Sequence, residues 1–150
     1  MKAAIYARCA ASAPNEDRIG PQMSFCERLA EKHGFTVVKR FSDRNFGGNN
    51  ADRPGYREML VAASDREFEA VFAEDLSRFS RHPRDMVELL GWMENFDIAI
   101  LTEHFDSRDE TQNPFDMFSK EDLINNLNEG FRKEVLGWIK AAEQSKENDK

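Results

Sequence analysis

Five arginines, Arg8, Arg44, Arg53, Arg78 and Arg81, fall in polar segments that follow runs of β-forming residues. A guanidinium is a permanently charged planar fork of N–H donors that matches phosphate oxygens. Three or more converging on one point would cradle a phosphodiester and the charge that builds during its displacement. Five solvated surface arginines on an acidic protein would leave the same pattern, and spacing alone does not separate the two readings. What separates them is whether the chain folds so that the arginines meet.

The elements that must bring them together can be traced along the chain. Lys2 to Arg8 reads as a β-strand. Gln22 to His33 reads as a helix, with Pro21 near its start, Gly34 just past its end, and Cys26, Leu29 and Ala30 as its buried stripe. Phe35 to Phe41 is rich in β-formers, and the SDRNFGGNNADRPG that follows is dense in turn residues, which predicts a strand and then a mobile loop centred on Gly47 and Gly48. Pro54 opens a helix carrying Tyr56, Met59, Leu60 and Ala63 at helical spacing, and Glu69 to Ala73 is a short buried strand. After the polar EDLSRFSRH, Pro83 begins a helix with Met86, Leu89, Leu90 and Met93 on one face, and Asp97 to Leu101 is a fourth strand.

This βαβαβαβ order predicts an α/β fold: a mostly parallel sheet of about four strands, covered by helices on both faces, with functional loops at the carboxyl ends of the strands. Arg8, Asp43, Glu74 and Thr102 lie at such ends. Residues 1–105 form the expected domain, and 106–118 an acidic loop. In 119–143, Leu123, Leu127, Phe131, Val135 and Ile139 recur every fourth residue, so a long amphipathic helix is expected. Gly130 and Gly137 weaken that helix by about 1 kcal/mol each relative to alanine. Residues 144–150 are expected to be a disordered tail. The stripe either packs on its own sheet or forms the seam of a homodimer, and the second is the expectation carried forward.

A chain of 150 residues suffices for one domain with a proper core. Its net charge of −7 opposes strong nucleic-acid binding, which depends on Lys and Arg displacing counterions, so any DNA contact must come from a local patch or another domain. No apolar run approaches the roughly 18 residues that span a bilayer, and the N-terminus lacks the apolar core of a secretory signal, so no membrane partner is expected. Cys9 and Cys26 lack metal-ligand spacing; they read as buried thiols in a reducing cytoplasm, and cytoplasmic localisation is the expectation.

Taken in order, AIYARCAAS, Ile19 and Gln22 with Cys26, VVKRFSD with Gly47 and Gly48, DRPGYREML, AVFAEDLSRFSR and DIAIL resemble the catalytic domain of the serine recombinases, the resolvase/invertase family. The resemblance covers about two thirds of the chain. It implies a site where a serine hydroxyl attacks a DNA phosphodiester to give a 5′-phosphoserine link and a free 3′-hydroxyl, after which strands exchange and religate with no metal or nucleotide cofactor. It assigns phosphate binding to Arg8, Arg53, Arg78 and Arg81, with Tyr6, Gln22, Asp43 and Ser77 in supporting positions. It also implies that a long helix after the sheet pairs two subunits.

Two departures bear on activity. The family's register of YAR, one residue, then serine reads here as Arg8, Cys9, Ala10, and a methyl group attacks nothing. Four residues on, where the family usually carries glutamine, stands Pro14, without an N–H. An engineered serine-to-alanine change would explain Ala10 but not Pro14, which favours natural divergence. Ser77 stands where aspartate is usual. Ser12 lies about 6 to 7 Å further along an extended segment than the nucleophile position, and Cys9 in a continuing strand points to the opposite face. The sequence thus leaves two functions open: a recombinase catalytic domain that no longer cleaves, or a stand-alone recombinase-fold module that acts through protein contacts, regulating an active recombinase.

Overall fold

In the computed structural model, which describes residues 1–9, 18–44 and 53–148, with the backbone alone at 126, 138 and 145–148, β1 (Lys2–Cys9) lies inside a four-stranded parallel sheet. Ala10, Ser12, Pro14, Gly47 and Gly48 lie outside the described residues. From Ala3 to Cys9 every residue of β1 is buried, as an interior parallel strand covered on both faces requires. The sheet order is β2-β1-β3-β4, with β2 (Thr36–Arg44), β3 (Ala70–Phe72) and β4 (Ala99–Leu101).

Successive residues of β1 point to opposite faces, and the two faces have different partners. Ala3 and Ile5 pack with Cys26 and Ala30 of α1 (Ile19–Lys32) and with Phe72 and Leu101. Ala4 and Tyr6 join the larger core, built from α2 (Pro54–Ser64) and α3 (Pro83–Asn95) through Met59, Ala63, Met86, Leu89 and Met93. The predicted α/β architecture is the observed one.

The helix boundaries refine the sequence reading. α1 begins at Ile19, three residues before the expected Gln22, so Pro21 lies within its first turn. Proline is tolerated there because the first N–H groups of a helix have no intrahelical acceptor. β2 runs on to Arg44, which carries Asp43 and Arg44 as part of the ladder beside Arg8 and Cys9.

The C-terminal region departs from expectation. The single helix predicted over 119–143 is two: α4 (Lys120–Asn126), capped by Ser119 Oγ, and α5 (Glu129–Asn148). Leu127 between them is extended, at φ −117° and ψ 133°, and Asn128 Oδ1 accepts the Phe131 N–H in the first turn of α5. Residues 144–148, expected to belong to a disordered tail, continue α5. The apolar stripe meets its own domain along part of its length. Leu127 and Val135 are buried in the α2–α3 core, with Leu123, Phe131 and Ile139 packed half-buried against it. The stripe expected as a homodimer seam thus packs in part on its own domain, with Leu123, Phe131 and Ile139 left partly exposed.

Candidate functional site

The site is built where β1 and β2 end. Asp43, buried near the end of β2, accepts the Tyr6 hydroxyl proton at 2.7 Å on Oδ2. The same carboxylate accepts two N–H groups from the first turn of α2, Gly55 on Oδ1 at 2.8 Å and Tyr56 on Oδ2 at 2.9 Å. A strand residue thus caps the helix and fixes its start against β2. The approach is close: a Cβ at Gly55 would lie 2.9 Å from the carbonyl carbon of Ser42, so only glycine lets the RPG turn sit there.

That docking places Arg53, the residue just before α2. Its guanidinium is buried and lies over the Tyr56 ring, 3.9 Å from the centroid. Nη1 donates to the Phe79 carbonyl and, at 3.5 Å, to the Tyr6 hydroxyl oxygen. Tyr6 stacks on Phe79 at 5.7 Å between ring centroids and meets Tyr56 edge-on at the same distance. Burial, followed by the hydrogen bond to Asp43, raises the Tyr6 hydroxyl far above its ordinary pKa, so it stays protonated. Burial likewise raises Tyr56 to about 12, with Arg53 opposing.

Arg8 is held from two sides. The buried amide of Gln22 on α1 grips its main chain, accepting Arg8 N–H at 3.2 Å and donating to Arg8 O at 3.1 Å. The Arg8 side chain donates from Nε to Arg78 O at 2.9 Å and from Nη2 to Ser77 O, in the short 3₁₀ turn Leu76–Arg78 after β3. In return Arg78 Nη1 donates to Arg8 O at 3.1 Å, and Nη2 pairs with Glu74 at 2.9 Å. Asp75 caps the turn by accepting the Ser77 N–H at 2.9 Å, and it accepts the Ser77 hydroxyl as well. Arg78 Nε is buried and has no hydrogen-bond acceptor among the described residues, with Asp75 Oδ2 standing 3.6 Å away.

The electrostatics register this crowding. Burial lowers the Arg8 pKa, and the charges of Arg53, Arg81 and Arg78 lower it further. Three of the other four arginines singled out in the sequence therefore act on Arg8. Arg8 and Arg53 are buried, Arg78 is half-buried, and Arg81 is exposed. Arg44 is exposed at the end of β2. Like charges gathered with part of their hydration removed favour an anion among them. Among the described residues, no group of His, Cys, Asp and Glu is placed to hold a metal ion.

Sequence reasoning missed Tyr56 and Phe79 as parts of this cluster, and it placed Glu74 at a functional strand end without naming Arg78 as its partner. Tyr56 had a signal, since it follows Arg53 by three residues across a proline-opened first turn. Glu74 stands four residues before Arg78. Nothing in the sequence marks the Phe79 carbonyl. Cys9 and Cys26 are buried free thiols, and burial raises Cys26 to about 12, as bland packed cysteines require. No helix among the described residues is long and apolar enough to cross a membrane.

The resolvase N-terminal domain family matches residues 3–146, beyond the first 105 residues that carry the sequence motifs and through α4 and most of α5. No curated protein matches the chain. Among solved structures, the N-terminal catalytic domain of TP901-1 integrase superimposes with a TM-score of 0.66 at 20% identity, covering 100% of both chains. A resolvase family site-specific recombinase from Streptococcus pneumoniae does so at 0.64 and 17% identity, covering 99% of this chain and 89% of that one. A serine recombinase from Sulfolobus solfataricus gives 0.57 at 15% identity, over 94% and 97% of the two chains. At such identities these structures speak to the fold, and the match over almost the whole sequence speaks to the family: the chain belongs to the resolvase N-terminal domain family and has the fold of a serine recombinase catalytic domain.

Proposed function

We propose that this chain holds a DNA phosphodiester in a serine-recombinase site without cutting it. The observation that carries the reading is the gathering of Arg53, Arg78 and Arg81 around the buried Arg8 at the end of β1, where Arg8 and Arg78 bond each other's main chains and, after burial, the neighbouring charges lower the Arg8 pKa. An anion relieves that repulsion, and a phosphodiester offers the two oxygens a guanidinium fork fits. The buried Arg78 Nε, with no acceptor among the described residues, supports a ligand there.

Holding is not cleaving. Ala10 occupies the register of the nucleophile and supplies no hydroxyl to form a phosphoserine link. Cys9 does not replace it: the residue is buried with Ala7, Ile19 and Met23 in a small apolar cluster. With a net charge of −7 the affinity for DNA alone is low and falls steeply with salt.

The test is incubation with a labelled duplex and with supercoiled plasmid, followed by a denaturing gel and by equilibrium binding. We expect no covalent adduct, and weak salt-sensitive binding that Arg8→Gln and Arg53→Gln each reduce. An adduct at Ser12 or Cys9 would overturn inactivity; binding indifferent to both arginines would overturn the phosphate site.

A further inference from the structure

At the opposite end of the sheet from the arginines lies a cavity of about 550 Å³, within the ~300–1,000 Å³ range of sites that receive a ligand or an anchoring side chain. It opens beside the start of β4 and is walled by α3, by the 105–114 segment and by Ala141 of α5. Its lining is largely apolar and includes Phe35, Leu90, Ile98, Phe105 and Pro114. Its rim is acidic. Glu69 comes from the approach to β3, Glu94 and Asp97 from the end of α3, and Asp109 and Glu110 from the loop after β4, and all five residues are exposed. Among the described residues that line it, the basic side chain is Arg108, already paired with Asp106 at 2.8 Å.

We propose that this groove docks a basic amphipathic segment of another polypeptide, an apolar side chain entering the cavity while flanking lysines or arginines meet the rim. Three features select that occupant. An apolar floor gains by excluding water, which a hydrated inorganic cation does not do. The acidic residues come from three separate parts of the chain, so several cationic groups on one segment match them better than a point charge does. Nucleic acid is repelled by the same rim.

The manner of docking also follows. A peptide cannot join β4 as a further strand, because the outward groups of Ile100 are taken: its N–H donates to Ser107 Oγ at 2.8 Å and its carbonyl accepts Ser107 N–H at 2.9 Å. The partner must therefore engage through side chains, as a helix or an anchored turn does. This inference stands apart from the phosphate reading, since the two sites occupy opposite ends of the sheet.

The whole chain, ¹⁵N-labelled, is titrated with a capped lysine–leucine octapeptide and, in parallel, with its glutamate–leucine counterpart. The expected result is saturable shifts of the Leu90, Ile98, Phe105 and Ser107 amides with the cationic peptide alone, weakening as salt is raised. Glu94 and Glu110 are exposed, so Glu94→Lys and Glu110→Lys should leave the fold intact, and each should weaken binding about fivefold. Equal binding of both peptides, binding of neither, shifts mapping to another face, or variants with unchanged affinity would each overturn the proposal.

Discussion

Replacing Asp43 by alanine removes the acceptor of three hydrogen bonds at once, from the Tyr6 hydroxyl and from the N–H groups of Gly55 and Tyr56. The residue is 3% exposed, so water does not take over the orphaned donors. Hydrogen bonds to a charged group contribute roughly 1.5–3 kcal/mol each, and loss of a helix cap costs about 1 kcal/mol. The three share one carboxylate and are not additive, so a loss on the order of 3–5 kcal/mol is expected, a large share of the ~5–15 kcal/mol that holds a typical domain together. Asp43→Asn keeps the shape but turns one oxygen into a donor facing a donor, and should cost about 1–3 kcal/mol. Urea unfolding followed by circular dichroism measures both variants against the parent chain. Should alanine cost under about 1 kcal/mol, or asparagine nothing, the claim that this carboxylate fastens α2 to β2 is wrong.

Phe131→Glu places a charge against the α2–α3 core and should lower stability by about 2–4 kcal/mol while the sedimentation mass stays the same; a change of mass without loss of stability would restore the stripe as a subunit seam. Tyr56→Leu removes the ring beneath Arg53 and should weaken phosphate or DNA binding several-fold, whereas Tyr56→Phe keeps the ring and should bind like the parent chain; equal affinities for leucine and phenylalanine would dismiss the stacking role. Asp106 has a carboxyl that burial would raise, yet hydrogen bonds from the Arg108 side chain and backbone outweigh burial and lower it. Its contribution is therefore present above the unfolded value near pH 4 and lost as pH falls through the lower folded value. Since the pair is partly exposed, Arg108→Ala should cost under about 1 kcal/mol at neutral pH, and its stability curve should meet that of the parent chain on acidification.

The sheet was legible because Pro54 and Pro83 punctuate the chain where helices begin and because short β-rich runs separate them. Pro21 misled by three residues, since a proline in the first turn marks the vicinity of a helix start and not its first residue. The break after Asn126 was hidden by the fourfold spacing of Leu123, Leu127 and Phe131, which continues unchanged across an extended Leu127. Asn128 followed by Glu129 was the local signal of a new helix start, and periodicity masked it. Of the site, the arginines and Asp43 could be named from motifs. The carbonyls of Ser77, Arg78 and Phe79 that receive Arg8 and Arg53 are main-chain atoms, and no residue type announces them.

β2 is an edge strand nine residues long, the kind of open ladder on which a stray strand can template itself and start an aggregate. Lys39 and Arg40 are consecutive, so they leave the strand towards opposite faces, where Lys39 meets Glu67 at 3.7 Å and Arg40 meets Glu27. Whichever side an incoming strand approaches from, it must strip water from a charged pair before it forms its first bond. Such pairs add little to the stability of the fold. Their consequence is colloidal: charged pairs guard an edge of β2 that no further strand covers among the described residues.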